Sequence, residues 1–147
     1  MNPATATRPR LLRVLLVDDS PDDAFLLLRA LGKGGIAAEH ARVDSAEAMQ
    51  DALAGRAWDL VISDYNIPGF GALEALAIAR RHDPELPCIV VSGDVDEGLA
   101  LRARHAGARD CLPKHDLARL VESVSSGVQD AARGNRREIP AGPSGIS

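Results

Sequence analysis

Aromatic residues are nearly missing: Phe, Trp and Tyr make up 3% of a chain that is 46% hydrophobic. The core must therefore be filled by Leu, Val, Ile and Ala, a mixture suited to helices packed on a sheet. Cysteine is scarce too. Cys88 and Cys111 form neither a CxxC pair nor a metal-ligand cluster, which argues against a disulfide scaffold and reads as buried thiols in a reducing compartment. No uninterrupted apolar run approaches the ~20 residues that cross a bilayer. The stretch from Leu11 to Val17 fails as a signal-peptide core, because Arg13 interrupts it, Asp18 and Asp19 follow at once, and no cleavage site of small residues appears. An excess of positive charge is also lacking. The formal net charge is -4, so no broad cationic field attracts phosphate backbones or anionic lipid. These absences predict a cytoplasmic protein with no membrane and no direct nucleic-acid partner.

The 147 residues suit one domain. Residues 1–10, MNPATATRPR, hold two prolines and no apolar periodicity, and read as a mobile arm. Residues 133–147 are rich in Gly, Pro, Ser and Arg and read as a disordered tail. A compact unit over residues 11–132 remains, and no effector segment is expected after it.

Within that unit short apolar runs alternate with helical patterns. Arg13–Val17, Glu39–Val43, Leu60–Ser63, Cys88–Ser92 and the brief Asp110–Leu112 read as strands. The near-continuous apolar character of LLRVLLV, DLVIS and CIVVS predicts burial on both faces, as in a parallel sheet covered by helices. Ser20 before Pro21 and Asp23 reads as a helix start, with Gly32 ending the run. Asp44 with Glu47 reads as a second cap, with Gly55 closing that helix. Ala72, Ala75, Leu76 and Ala79 keep helical spacing, as do Leu117, Leu120, Val121, Val124 and Val128. The helix near Asp96 to Ala106 has only Leu99, Ala103 and Ala106 on its stripe, and is expected to be the least firmly anchored. Gly32, Gly34 and Gly35 match no phosphate-loop pattern. Five strands alternating with five helices imply an open, doubly wound α/β sheet, which binds ligands at the carboxyl ends of its strands.

Those ends carry Asp18 and Asp19 after the first strand, Asp64 after the third, Ser92 after the fourth and Lys114 after the fifth. Three carboxylates gathered there repel by several kcal/mol per close pair in a partly dry site, and a bound divalent cation relieves this most simply. The available ligands are all oxygens, so Mg2+ is the expected ion. Lys114 offers a positive charge to Asp64 or to an anion attached to it, and Ser92 offers a hydroxyl donor. Such a group can hold a transferring phosphoryl while Asp64 attacks in line. Taken singly, an Asp-Asp pair is a helix cap, Ser92 a loop hydroxyl and Lys114 a surface charge; their meaning rests on the constellation. His40, His82, His105 and His115 share no ligand spacing and are assigned to structure or surface.

VLLVDDS, VISDYNIPGFGALEAL, VVSGD and the LPK after AGARDC, with their spacing, resemble the receiver domain of two-component response regulators over about residues 12–132. The resemblance implies a flavodoxin-like doubly wound five-stranded parallel sheet, strand order 2-1-3-4-5, flanked by five helices. It implies that Asp64 is the phosphoacceptor, that Asp19, Asp64 and the backbone carbonyl of Asn66 bind magnesium, and that Asp18 acts largely through a water. Pro68 and Gly69 look like the family's turn after the third strand, where glycine takes a conformation closed to other residues. The implied partners are a sensor histidine kinase or histidine phosphotransfer protein and a downstream protein target. Two positions depart from the family: Cys111 replaces a common Tyr or Phe, and His115 a common Pro, so a switch read out by an inward-moving aromatic is not expected. Two other functions are weighed against this one. A receiver-like module working by contact alone is expected to have lost Asp64, Lys114 or the acidic pair, and none is lost. A magnesium-dependent aspartyl phosphatase is expected to open with DxD and to place its acidic pair last; here Asn66, two residues after Asp64, cannot act as a general acid.

Overall fold

The computed structural model describes residues 11–127. The expected arm at 1–10, the tail at 133–147 and Val128 lie outside the described residues. The elements are β1 (Leu12–Val17), α1 (Pro21–Lys33), β2 (Ala38–Val43), α2 (Ala46–Gly55), β3 (Leu60–Asp64), α3 (Ala72–His82), β4 (Cys88–Ser92), α4 (Glu97–His105), β5 (Asp110–Pro113) and α5 (117–127). All five strands run parallel in the order β2-β1-β3-β4-β5, so the sequence order reverses beside β1 and β3. Strand ends differ from expectation by at most one residue, because each strand continues the ladder until its neighbour turns away.

Burial explains the continuous apolar runs. Every residue of β3 and β4 is buried. Alternation sends Leu15, Val17, Val61 and Val90 to one face, where Met49, Leu53, Leu76, Ala79, Leu99 and Ala103 of α2, α3 and α4 cover them. Val14, Leu16, Ile62 and Val91 point the other way, under Ala24, Leu27 and Leu31 of α1 and Leu120 and Val124 of α5. β2, at the edge, buries only Val43. The helix α4 buries Leu99 and Ala103 alone, but α2 is anchored as thinly, through Met49 and Leu53. Cys88 and Cys111 are both free and buried, and burial pushes both thiols up, Cys88 to about 12, so neither ionises near neutral pH.

Two helix boundaries fall elsewhere than the sequence suggests. The cap of α2 is Ser45, whose hydroxyl accepts from the Ala48 amide at 3.2 Å; Asp44, one residue too early to reach that amide, instead faces Arg42 at 3.8 Å. α1 runs past Gly32 to Lys33, and Gly34 caps it by donating to the Ala30 carbonyl. Gly34 is required by a close approach: a Cβ there would lie 2.5 Å from Val121 of α5. Gly69, expected in a special conformation, has φ of 75°.

The two glycines of α1 therefore predict opposite effects. Gly34→Ala forces Val121 aside and is expected to cost ~1–3 kcal/mol. Gly32→Ala meets no atom within 4 Å and, lying within the helix, is expected to stabilise by ~0.5–1 kcal/mol. Urea unfolding of the two variants reads both signs, and equal shifts would contradict the packing of α5 on Gly34.

Candidate functional site

The carboxyl ends of β1, β3, β4 and β5 meet where the strand order reverses, and backbone bonds just past the strands hold them in register. The Asp18 amide donates to Val43 O at 2.9 Å, Tyr65 to Val91 O at 2.8 Å and Lys114 to Ser92 O at 2.7 Å. Sheet pairing thus carries one step beyond the strands and fixes the backbone under each polar side chain.

Asp18 is buried to 1% exposure. Its Oδ1 accepts from the Ser20 amide at 2.9 Å. Its Oδ2 is buried without a hydrogen bond and faces the Lys114 ammonium at 3.0 Å as an ion pair. Asp64 is also buried; its Oδ1 accepts from the Asn66 amide at 3.2 Å and its Oδ2 from Lys114 Nζ at 2.9 Å. Asp19 stands exposed at the rim, and Asp18, Asp19 and Asp64 each offer an oxygen within 4.8 Å of the others. Ser92 ends the neighbouring strand, buried, but its hydroxyl turns into its own loop, donating to the Asp94 carbonyl at 3.0 Å. The four histidines are all exposed.

Asp18, Asp19, Asp64 and Lys114 are thus brought together, while the Ser92 hydroxyl is engaged within its loop. Two further residues were missed. Asp23 Oδ2 lies 2.7 Å from Lys114 Nζ, nearer than either Asp64 or Asp18. A signal for it existed: α1 starts two residues after Asp19, so its first turn must sit beside the pocket. Arg42 donates to the Asp18 carbonyl at 3.0 Å, and nothing in its spacing in the sequence pointed to this.

Burial pushes the Asp18 carboxyl up, and Asp64 adds to this, while the Ser20 amide and Lys114 work against it. For Lys114 burial acts downward, but bonds to Asp23, Asp64 and Asp18 outweigh it and hold the ammonium above its ordinary range. One cation therefore faces several carboxylates, and the pocket keeps an anionic excess. An orphaned buried carboxylate oxygen and a donor set made only of oxygens fit a hard divalent cation such as Mg2+, for which Asp18, Asp19 and Asp64 are the available side chains.

A doubly wound α/β domain with an acidic pocket and a lysine at its topological switch is the class that fold and site define. The chain belongs to the response regulator receiver domain family, whose model matches residues 14–125. It is 40% identical over 131 residues to the response regulator protein FleR of Pseudomonas aeruginosa, covering 87% of this chain and 27% of that protein. The DNA-binding transcriptional regulator NtrC of Escherichia coli is 31% identical over 121 residues, 80% of this chain and 25% of that protein. The chain thus spans about a quarter of the length of these curated relatives. Among solved structures, full-length FixJ from B. japonicum superposes with a TM-score of 0.72 at 27% identity, over 89% of this chain and 64% of that one. A CheY-like receiver domain protein from Methanospirillum hungatei shares the fold with a TM-score of 0.72 at 21% identity, over 85% and 99% of the two chains. Among the described residues no helix is long and apolar enough to cross a membrane.

The electrostatics predict a pH-dependent partnership between Lys114 and Asp18. Lys114→Met leaves a buried carboxylate without its cation and is expected to cost about 3 kcal/mol at neutral pH without metal. Because the folded protein holds the Asp18 proton to higher pH than the unfolded chain does, ionising Asp18 opposes folding. This opposition fades as pH falls through the folded value toward 3.8. The deficit of Lys114→Met is therefore expected to shrink on acidification; a deficit constant with pH would assign Lys114 to packing.

Proposed function

We propose that this receiver domain, working as a unit over residues 11–132, accepts a phosphoryl group on Asp64 from a phosphohistidine of a sensor kinase or histidine phosphotransfer protein. The observation that carries this reading is the Lys114 ammonium 2.9 Å from Asp64 Oδ2, in a cluster with the buried Asp18 and the exposed Asp19. An intact cluster of this kind favours phosphoryl transfer over a module that works by contact alone.

Asp64 attacks phosphorus: its oxygen–phosphorus bond forms as the donor's nitrogen–phosphorus bond breaks, and the electron pair of that bond leaves with the imidazole. Asp19, Asp64 and the Asn66 carbonyl would hold Mg2+, with Asp18 acting largely through a water, and the ion would supply charge neutralisation for the transferring oxygens. Lys114 neutralises a further oxygen and keeps Asp64 oriented. Ser92 gives up its bond to the Asp94 carbonyl and donates to the phosphoryl instead. That exchange releases the loop from Ser92 to Asp96, where the Asp96 side chain caps α4 by accepting from the Leu99 amide at 2.8 Å. Cys111, buried beside this region, is too small to fill the space an aromatic would take. The signal leaves by backbone movement and protein–protein docking in the cytoplasm. The protein assists its own phosphorylation and dephosphorylation and turns over no separate substrate.

Asp64→Asn is expected to fold normally and to take no label from a small phosphodonor; full labelling of that variant would defeat the assignment. Mg2+ at ten times its dissociation constant is expected to add about 1.4 kcal/mol to wild-type stability. Asp19→Ala should remove that gain, and thermal shifts of equal size in both proteins would place the ion elsewhere.

The output route is open to a separate measurement. Beryllofluoride, a phosphoryl mimic, is expected to change amide hydrogen exchange from Ser92 through His105, with little change at Cys111. Changes confined to α1 and α2 would refute output through the loop after β4.

A further inference from the structure

We infer that Asp23 is a positioning residue of this site, the acceptor that keeps the Lys114 ammonium in place while its other two acceptors are reassigned. The inference rests on the phosphoacceptor reading. Lys114 Nζ has three protons and meets three carboxylate oxygens: Asp23 Oδ2 at 2.7 Å, Asp64 Oδ2 at 2.9 Å and Asp18 Oδ2 at 3.0 Å. All three contacts are ion pairs, and the contact with Asp64 is also a hydrogen bond. Asp18 and Asp64 belong to the cluster whose oxygens can hold a cation together with Asp19, and Asp23 stands outside that cluster.

Loading the site therefore changes two of the three acceptors. Asp18 would serve a bound cation through a water, and an oxygen of Asp64 would become bonded to phosphorus. Asp23 keeps its carboxylate free through both steps. It is also held firmly, since its amide donates to the Ser20 hydroxyl at 3.2 Å in the first turn of α1, a helix anchored through Ala24, Leu27 and Leu31. Lys114 is the flexible member of the pair, a compact charge on a long stem with rotatable donors. A fixed acceptor from α1 limits where that charge can swing, and leaves the other donors free to follow the phosphoryl oxygen. The Asp23 side chain is 42% exposed, so its bare charge is screened and its contribution lies in geometry.

Phosphorylation of the full chain by phosphoramidate, at saturating magnesium and donor, tests this. Asp23→Ala is expected to lower the maximal labelling rate about tenfold, the scale of one charge-assisted hydrogen bond lost in the transition state. Magnesium affinity by calorimetry should stay within about threefold, because Asp23 is not among the candidate ligands and its half-exposed charge is screened. Asp23→Glu should recover most of the rate, and Asp23→Asn, which keeps the shape, should fall between. In a Lys114→Ala background the Asp23→Ala change should have no further effect, because the residue acts through the ammonium. Wild-type labelling in Asp23→Ala overturns the inference, as does an equal loss in the Lys114→Ala background. A wild type that labels while Asp23→Ala is unimpaired sinks this inference alone. A wild type that takes no label sinks the phosphoacceptor reading and this inference with it.

Discussion

The Lys114 ammonium lies within 3.0 Å of carboxylate oxygens from Asp18, Asp23 and Asp64, which belong to three different elements or their ends. Two unit charges 4 Å apart interact by about 4 kcal/mol at the effective dielectric of a protein surface. Without that ammonium the loops after β1 and β3 and the first turn of α1 would carry like charges toward one another. Lys114 turns this repulsion into a tie between β5 and the rest of the switch-point edge. The neutralisation is partial: one ammonium faces three carboxylates, and Asp18 Oδ2, buried without a hydrogen bond, has only the ion pair with Lys114. The same shortage of cations suits the pocket to a hard divalent cation.

Such a concentration of charge is tolerable because the backbone beneath it is rigid. The sheet is buried on both faces, and its ladder continues past the strand ends through Asp18, Tyr65 and Lys114. Arg42 adds a hold on the Asp18 carbonyl from the edge strand. What moves in the proposed mechanism is a set of side chains and one loop: the lysine stem, the Ser92 hydroxyl and the segment from Gly93 to Asp96. In the proposed mechanism the chemistry uses the rigid part and the signal uses the mobile part. Replacement of a bulky aromatic by Cys111 fits an output carried by that loop and α4, since a small buried thiol has little surface with which to report a change.

Much of this was legible in the sequence because it is local. Near-continuous apolar runs named β1, β3 and β4, period-3.6 stripes named the helices, and Ser20 with Pro21 marked the start of α1. Polar residues at strand ends identified Asp18, Asp19, Asp64, Ser92 and Lys114, since a parallel sheet collects its carboxyl ends along one edge. Where neighbouring residues could each serve, the sequence misled: Asp44 and Ser45 are both good caps, and only Ser45 reaches the Ala48 amide. Gly32 and Gly34 could each end α1, and the choice fell to Gly34 because α5 comes too close there for any side chain.

By itself, then, the sequence determined the order of elements, the two-sided core and the identity of the strand-end residues, all of which follow from hydrophobic period and chain order. Tertiary structure alone decided which of these groups touch. Asp23 meets Lys114 across 91 residues of chain, and Arg42 meets the Asp18 carbonyl from the edge strand. The direction of the Ser92 hydroxyl and the burial of Asp18 Oδ2 against Lys114 belong to the same class. The reason is physical: a period or a cap is written in residues a few positions apart, whereas a hydrogen bond between distant elements depends on helix placement and rotamer choice that no local pattern encodes.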